Sequence, residues 1–166
     1  MAKPELPETR TLAAQLVAAL QGRDDSVATA ESLTGGLLAG FLTSVPGASA
    51  VFPGGLVSYS TDVKQDVLNV PPDVVAAHGV VSGACAEAMA TGVRDLLGST
   101  YGVSTTGVAG PETQEGKPVG TVFVGVAGPD GTRALELSLD GDRAEIRESS
   151  CVAAMSELLA TLAGDR

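Results

Sequence analysis

Ser26-Val27-Ala28-Thr29-Ala30 followed at once by Glu31-Ser32-Leu33-Thr34-Gly35-Gly36 and an apolar run from Leu37 is the stretch that decides the fold. A short β-capable run, a glycine-containing turn and a helix form the entry unit of an α/β domain. Upstream, Leu12, Leu16, Val17 and Leu20 share one helical face, which predicts an opening helix over 8–21 and leaves 1–7 as a flexible tail. Downstream, the loop Val45-Pro46-Gly47-Ala48-Ser49 leads to a second strand over Leu56–Ser60. Thr61 is placed as the cap of a short helix carrying Lys64, Pro71-Pro72 as the start of another, and Ser82 as the cap of a longer one. A third strand is expected over Tyr101–Val108. Gly128-Pro129-Asp130-Gly131 then joins two strands as a hairpin, and Asp142 caps a closing helix. Helical crossovers connect parallel neighbours, so the first three strands should be parallel. The expected fold is one three-layer α/β/α domain over 1–166, with a mixed, mostly parallel sheet ending in an antiparallel hairpin.

Composition narrows the function classes. The 166 residues hold 20 acidic and 10 basic side chains, a formal net charge of −10. Duplex binding needs clustered Lys and Arg, and single-strand binding needs stacking aromatics, which make up only 3% here. A nucleic-acid partner is therefore not expected. No apolar run approaches the ~20 residues of a transmembrane helix, and the first ten residues lack signal-peptide character, so no membrane partner is expected. Cys85 and Cys151 lie far apart without a CxxC or a nearby His, so they read as buried thiols in a cytoplasmic protein, not as zinc ligands.

Four segments could carry chemistry. Ser32-Leu33-Thr34-Gly35-Gly36 stands at a strand end and a helix start, where backbone N–H groups and the helix dipole favour an anion; a tight turn with Ser32 or Thr34 as cap is the plainer reading. Ser49, Tyr59 and Lys64 could form a hydrolytic site if burial renders the lysine neutral. Spacing alone does not bring Ser49 and Lys64 together; Ser49 also reads as a helix cap and Lys64 as a solvated lysine. Thr106-Gly107-Val108-Ala109-Gly110 with Gly116-Lys117 offers a phosphate or ribose cradle or a glycine-rich connection. It is no P-loop, because Pro111 stands where the first glycine is needed and Pro118 replaces the Mg²⁺-binding hydroxyl. Arg143 opens the closing helix against the dipole preference, which calls for a phosphate or a carboxylate partner, while Arg147 reads as surface. His78, the single histidine, reads as a capping or surface residue at the end of a short helix.

Taken together, Thr29–Gly36, Pro46–Ser49, Gly54–Ser60 with Lys64, His78–Ser82, Thr106–Pro111, Lys117–Thr121 and Gly141–Arg143 resemble the CinA C-terminal domain family, in family order and over nearly the whole chain. Its enzymatic members are nicotinamide-nucleotide amidases, and the chain resembles their stand-alone form. The resemblance implies hydrolysis of nicotinamide mononucleotide (NMN) to nicotinate mononucleotide and ammonia by a Ser/Lys dyad, without metal or cofactor. It implies Ser49 as nucleophile ahead of its rival Ser32, Lys64 as base, and Tyr59 in a relay or positioning role. Ribose and phosphate would fall to Ser32, Thr34, Gly35, Gly36, Thr106, Gly107, Ala109, Gly110 and Arg143. The loop Glu112-Thr113-Gln114-Glu115-Gly116 departs from the glycine-rich loop of many members, and Leu33 stands where cysteine is common. A homo-oligomer is expected. The alternative is a non-catalytic nucleotide-binding or interaction domain of the same family.

Overall fold

Strand β1 (Val27–Glu31) occupies an interior position of a five-stranded sheet in the computed structural model, which describes residues 6–164. Helix α1 (Leu6–Arg23) precedes it; of the expected tail, residues 1–5 lie outside the described residues, whereas Leu6 and Pro7 already belong to α1. After β1 come α2 (Leu37–Thr43), a 3₁₀ turn (Ala48–Ala50) and β2 (Gly55–Val57). The chain continues through α3 (Thr61–Asp66), α4 (Pro72–His78) and α5 (Gly83–Leu97) to β3 (Tyr101–Gly107). The hairpin β4 (Thr121–Gly128) and β5 (Gly131–Ser138) leads into α6 (Arg143–Gly164).

The sheet order is β2-β1-β3-β4-β5, with β1 parallel to both β2 and β3. Both β3·β4 and β4·β5 are antiparallel, so β4 alone runs against the other four. After β1 the chain leaves toward β2, and after β3 it leaves toward β4. The crevice between the carboxyl ends of β1 and β3 is therefore the switch point, the place where open α/β sheets hold ligands.

Strand alternation sends side chains to two cores. Val27, Val103, Val124 and Val126 meet α1, α2 and α6 on one face. Ala28, Ala30 and Phe123 meet α5, through Cys85, Ala86, Met89 and Val93, on the other. Helix α5 lies very close to the sheet: a Cβ at Gly102 would collide with the Ala90 carbonyl, and one at Gly125 with that of Ala86. The Ser104 hydroxyl uses this proximity to donate to Ala86 O at 2.6 Å. Small residues thus set the helix–sheet spacing, and a sequence poor in aromatics still packs densely.

Local chemistry fixes the ends. Ser82 accepts from the Cys85 N–H at 3.1 Å, as expected of the α5 cap. Asp142 and Glu145 exchange backbone bonds at 2.9 Å each, a reciprocal capping box that starts α6. The expected cap of α3 shifts by one residue: Ser60, not Thr61, accepts from the Val63 N–H. Strand β2 is also shorter than expected and stops at Val57, because Ser58 and Tyr59 turn their carbonyls toward the Lys64 amine.

Candidate active site

The turn after β1 is held on all sides. Ser32 N–H donates to Thr105 O at 2.9 Å, and Ser58 N–H to Glu31 O at 2.8 Å, which anchors both flanking strands around Ser32. Gly35 (φ 57°) and Gly36 (φ 98°) adopt the left-handed conformation that lets the chain reverse into α2. The Gly35 N–H closes the turn on Ser32 O at 3.0 Å. The fully buried Glu31 carboxylate accepts from the N–H groups of Gly36 (3.0 Å), Leu38 (3.0 Å) and Ala39 (2.8 Å).

That carboxylate corrects one expectation. The amino end of α2 attracts an anion, but Glu31 supplies it internally, so no phosphate site remains there. Thr34 is buried with its hydroxyl 2.7 Å from that of Thr105. Neither it nor Gly35 or Gly36 lines the cleft. These three residues shape the turn and stand outside the cleft lining.

Lys64 is the one buried residue of α3, with 1% of its surface accessible. Its Nζ lies 2.7 Å from Ser58 O, 3.4 Å from Tyr59 O and 3.1 Å from Ser32 Oγ. Burial pulls the Lys64 ammonium below the ordinary lysine range, with Cys85 and Glu115 opposing part of the shift. Burial also pushes the Cys85 thiol up to about 11, so it stays protonated.

Ser49 is placed elsewhere. It sits exposed in the 3₁₀ turn, and the adjoining Val51 O accepts from Val27 N–H at the amino end of β1. Gln21 holds the same turn through Gly47 O at 3.1 Å. Helix α2 has carried the chain back along β1, whose five residues span ~17 Å. Lys64 therefore meets Ser32, and the Ser49–Lys64 pairing is replaced by Ser32–Lys64.

The cleft beside this pair measures about 580 Å³. Ser32, Tyr59, Lys64, Thr106, Gly107, Ala109, Gly110 and Arg143 all line it, together with Leu33, Val80, Val81 and Glu112–Gln114. Thr106 is committed to the wall, because its hydroxyl donates to Val80 O at 2.7 Å. The departing loop clasps the same wall: Glu115 accepts from Val80 and Val81 N–H at 2.9 Å each, and Lys117 Nζ donates to Val81 O. Arg143 bridges the rim, donating through Nη1 to Gly110 O at 2.6 Å and through Nη2 to the Tyr59 hydroxyl at 3.0 Å. His78 ends α4 exposed, away from the cleft lining. Among the described residues no group of three or more His, Cys, Asp or Glu could hold a metal ion, and no helix is long and apolar enough to cross a membrane.

Sequence reasoning missed the caps and braces. Glu31, Ser58 and Glu115 act through backbone contacts, and Arg147, read as surface, donates to Leu33 O (3.0 Å) and Thr34 O (2.9 Å). The available signal was an acidic residue at the inner end of a buried strand, and an arginine one turn after Arg143 on the same helix.

Fold and cleft define an α/β domain with an open cleft at its strand switch point, where the buried Lys64 amine meets the half-buried Ser32. The chain belongs to the CinA C-terminal domain family, whose match spans residues 9–162. It is 56% identical over 142 residues to a CinA-like protein of Frankia casuarinae, covering 86% of this chain and 33% of the relative. A crystal structure of a competence-damaged protein (CinA) superfamily protein from Klebsiella pneumoniae superposes with a TM-score of 0.91 at 33% identity, covering 94% of this chain and 98% of that one. The competence/damage inducible protein CihA from Agrobacterium tumefaciens gives a TM-score of 0.88 at 34% identity, covering 96% and 98%. The chain spans about a third of the length of the curated relatives it matches.

Proposed function

We propose that this domain hydrolyses the carboxamide of NMN, releasing ammonia and nicotinate mononucleotide. The observation that carries the reading is the buried Lys64 amine 3.1 Å from the Ser32 hydroxyl, inside a cleft rimmed by an arginine. The family resemblance supplies the substrate.

Charge and hydrogen bonding support a general-base lysine. A neutral amine has two N–H bonds, and Ser58 O and Tyr59 O accept both. Its lone pair is then left for the Ser32 O–H. In this mechanism Ser32 Oγ attacks the carboxamide carbon as Lys64 takes its proton. The oxygen gains negative charge, which backbone N–H groups must stabilise. Leu33 and Ala109 line the cleft, and their N–H groups make no hydrogen bond to protein among the described residues, so they are assigned to the oxyanion. The protonated Lys64 passes its proton to the leaving nitrogen, and ammonia departs. Water then attacks the acyl-serine, Lys64 takes its proton, and the carboxylate product leaves with Ser32 restored.

Arg143 gives the reading its nucleotide preference. Two of its nitrogens bind Tyr59 and Gly110, and the remaining donors of its planar fork suit a phosphate. A single phosphate needs only this arginine and nearby amides, so the net charge of −10 presents no conflict.

The test is to incubate the purified domain with NMN and follow ammonia and nicotinate mononucleotide by chromatography. Equal amounts of both are expected, above a Lys64→Ala control. Turnover no greater than that control overturns the reading. NMN binding without ammonia release would instead assign the non-catalytic nucleotide-binding role.

A further inference from the structure

Arg147 reaches from the second turn of α6 to the turn that carries Ser32. Its Nε donates to Leu33 O at 3.0 Å and its Nη2 to Thr34 O at 2.9 Å, two consecutive carbonyls directly after the nucleophile. A planar guanidinium can fix two acceptors at once, so both peptide planes are held. The carbonyl and N–H of one trans peptide point in opposite directions. Pinning Thr34 O therefore aims the Gly35 N–H away from the arginine, and that N–H donates to Ser32 O at 3.0 Å.

A single relay results: Arg147 to the Thr34 carbonyl, through its peptide to the Gly35 N–H, and on to the Ser32 carbonyl. Each bond in such a chain polarises the next. Fixing the Ser32 carbonyl in turn fixes the Leu33 N–H on the opposite side of that peptide, the donor assigned above to the oxyanion. Gly35 completes the fit, since a Cβ there would stand 3.4 Å from Arg147 Nη2 on a backbone already at φ 57°. Arg143, one helical turn earlier, braces the facing rim through Gly110 and Tyr59. Helix α6 thus steadies both sides of the cleft with different arginines.

We propose that Arg147 is a positioning residue that sets the Ser32 hydroxyl and the Leu33 N–H for acyl transfer without touching the substrate. The inference rests on Ser32 being the nucleophile, as in the proposed function. Two readouts keep them separable: NMN turnover, and the rate at which a fluorophosphonate probe labels Ser32, followed by mass spectrometry.

Arg147→Ala should lower both kcat and the labelling rate about 100-fold, the scale of a reacting group displaced by about 1 Å, with KM within about twofold. Arg147→Lys retains one donor point and should lose only about tenfold, a partial rescue that keeps the test decisive if the alanine variant folds poorly. Labelling at the wild-type rate in both variants overturns the inference, as does a raised KM at unchanged kcat, which would make Arg147 a substrate contact. Labelled wild-type Ser32 without NMN turnover overturns the substrate reading alone, and the labelling rates still judge Arg147. Wild-type protein that is not labelled at Ser32 overturns the nucleophile and, with it, this inference.

Discussion

The two ends of β1 carry similar pieces. At the carboxyl end a turn with left-handed glycines holds Ser32; at the amino end another, with Gly47 at φ 88°, holds Ser49. Both serines lie in segments through which the chain resembles its family. Their surroundings separate them. Ser32 is wedged between β3 and the exit of β2, against a buried amine, while Ser49 faces solvent beside the end of α1. A serine hydroxyl is a weak nucleophile until a base meets it in a dry place, so chemistry follows from the partner and the burial, not from the motif.

Removing either member of the dyad should produce the largest effect. Ser32→Ala and Lys64→Ala should each lower kcat by about 10³-fold or more, and the double variant should be little worse, because groups that act as a unit do not contribute additively. Steady-state ammonia release checks this. Additive losses would show that the two residues work separately and would break the contrast between the two ends.

Arg143, proposed to hold the substrate's phosphate, sharpens the contrast. Losing a hydrogen bond to a charged group costs about 1.5–3 kcal/mol, so Arg143→Ala should raise KM for NMN about 10- to 100-fold. Nicotinamide riboside, lacking the phosphate, should be hydrolysed equally by both proteins. A similar loss with both substrates would make Arg143 a brace for Tyr59 and Gly110 only.

The fold was legible where local signals agreed. The run over 26–37, the Ser82 cap, the Gly128–Gly131 hairpin and the Asp142 cap each carry a local signal that fits one position. The site was legible only in composition. Sequence order does not say that α2 returns Ser49 to the starting edge of the sheet, so the family motifs alone could not show that Lys64 meets Ser32 instead. Nor does a helix start reveal that Glu31 already fills its anion position, since that depends on one buried side chain folding back over its own turn. Arg147 looked like surface because a guanidinium bound to carbonyls leaves no paired acid in the sequence.

Lys64 should also leave a trace in stability. Its folded-state pKa is lowered by burial, so below the ordinary lysine value of ~10.4 the unfolded chain holds the larger share of this proton. Stability relative to a Lys64→Met variant should therefore rise with pH, from the lowered folded value up to about pH 10.4. The slope for one proton is at most about 1.4 kcal/mol per pH unit. Urea unfolding of both proteins across that range measures it. A flat difference would mean that the lysine is equally charged in both states, which would deprive Ser32 of its base.

The smallest effect is expected at the other end of β1. Ser49→Ala removes an exposed hydroxyl from a 3₁₀ turn whose hold on the domain comes from buried Ala48, Val51 and the Gln21–Gly47 bond. Exposed substitutions of this kind stay within about ±0.5 kcal/mol, so the unfolding midpoint should barely move. Turnover of NMN should also stay within about twofold of wild type, because no atom of the Ser32–Lys64 pair depends on that hydroxyl. A tenfold loss at unchanged stability would place chemistry at the amino edge after all. The buried amine of Lys64 would then lack a purpose, since burying a lysine against a serine and two carbonyls is costly unless its neutral form does work there.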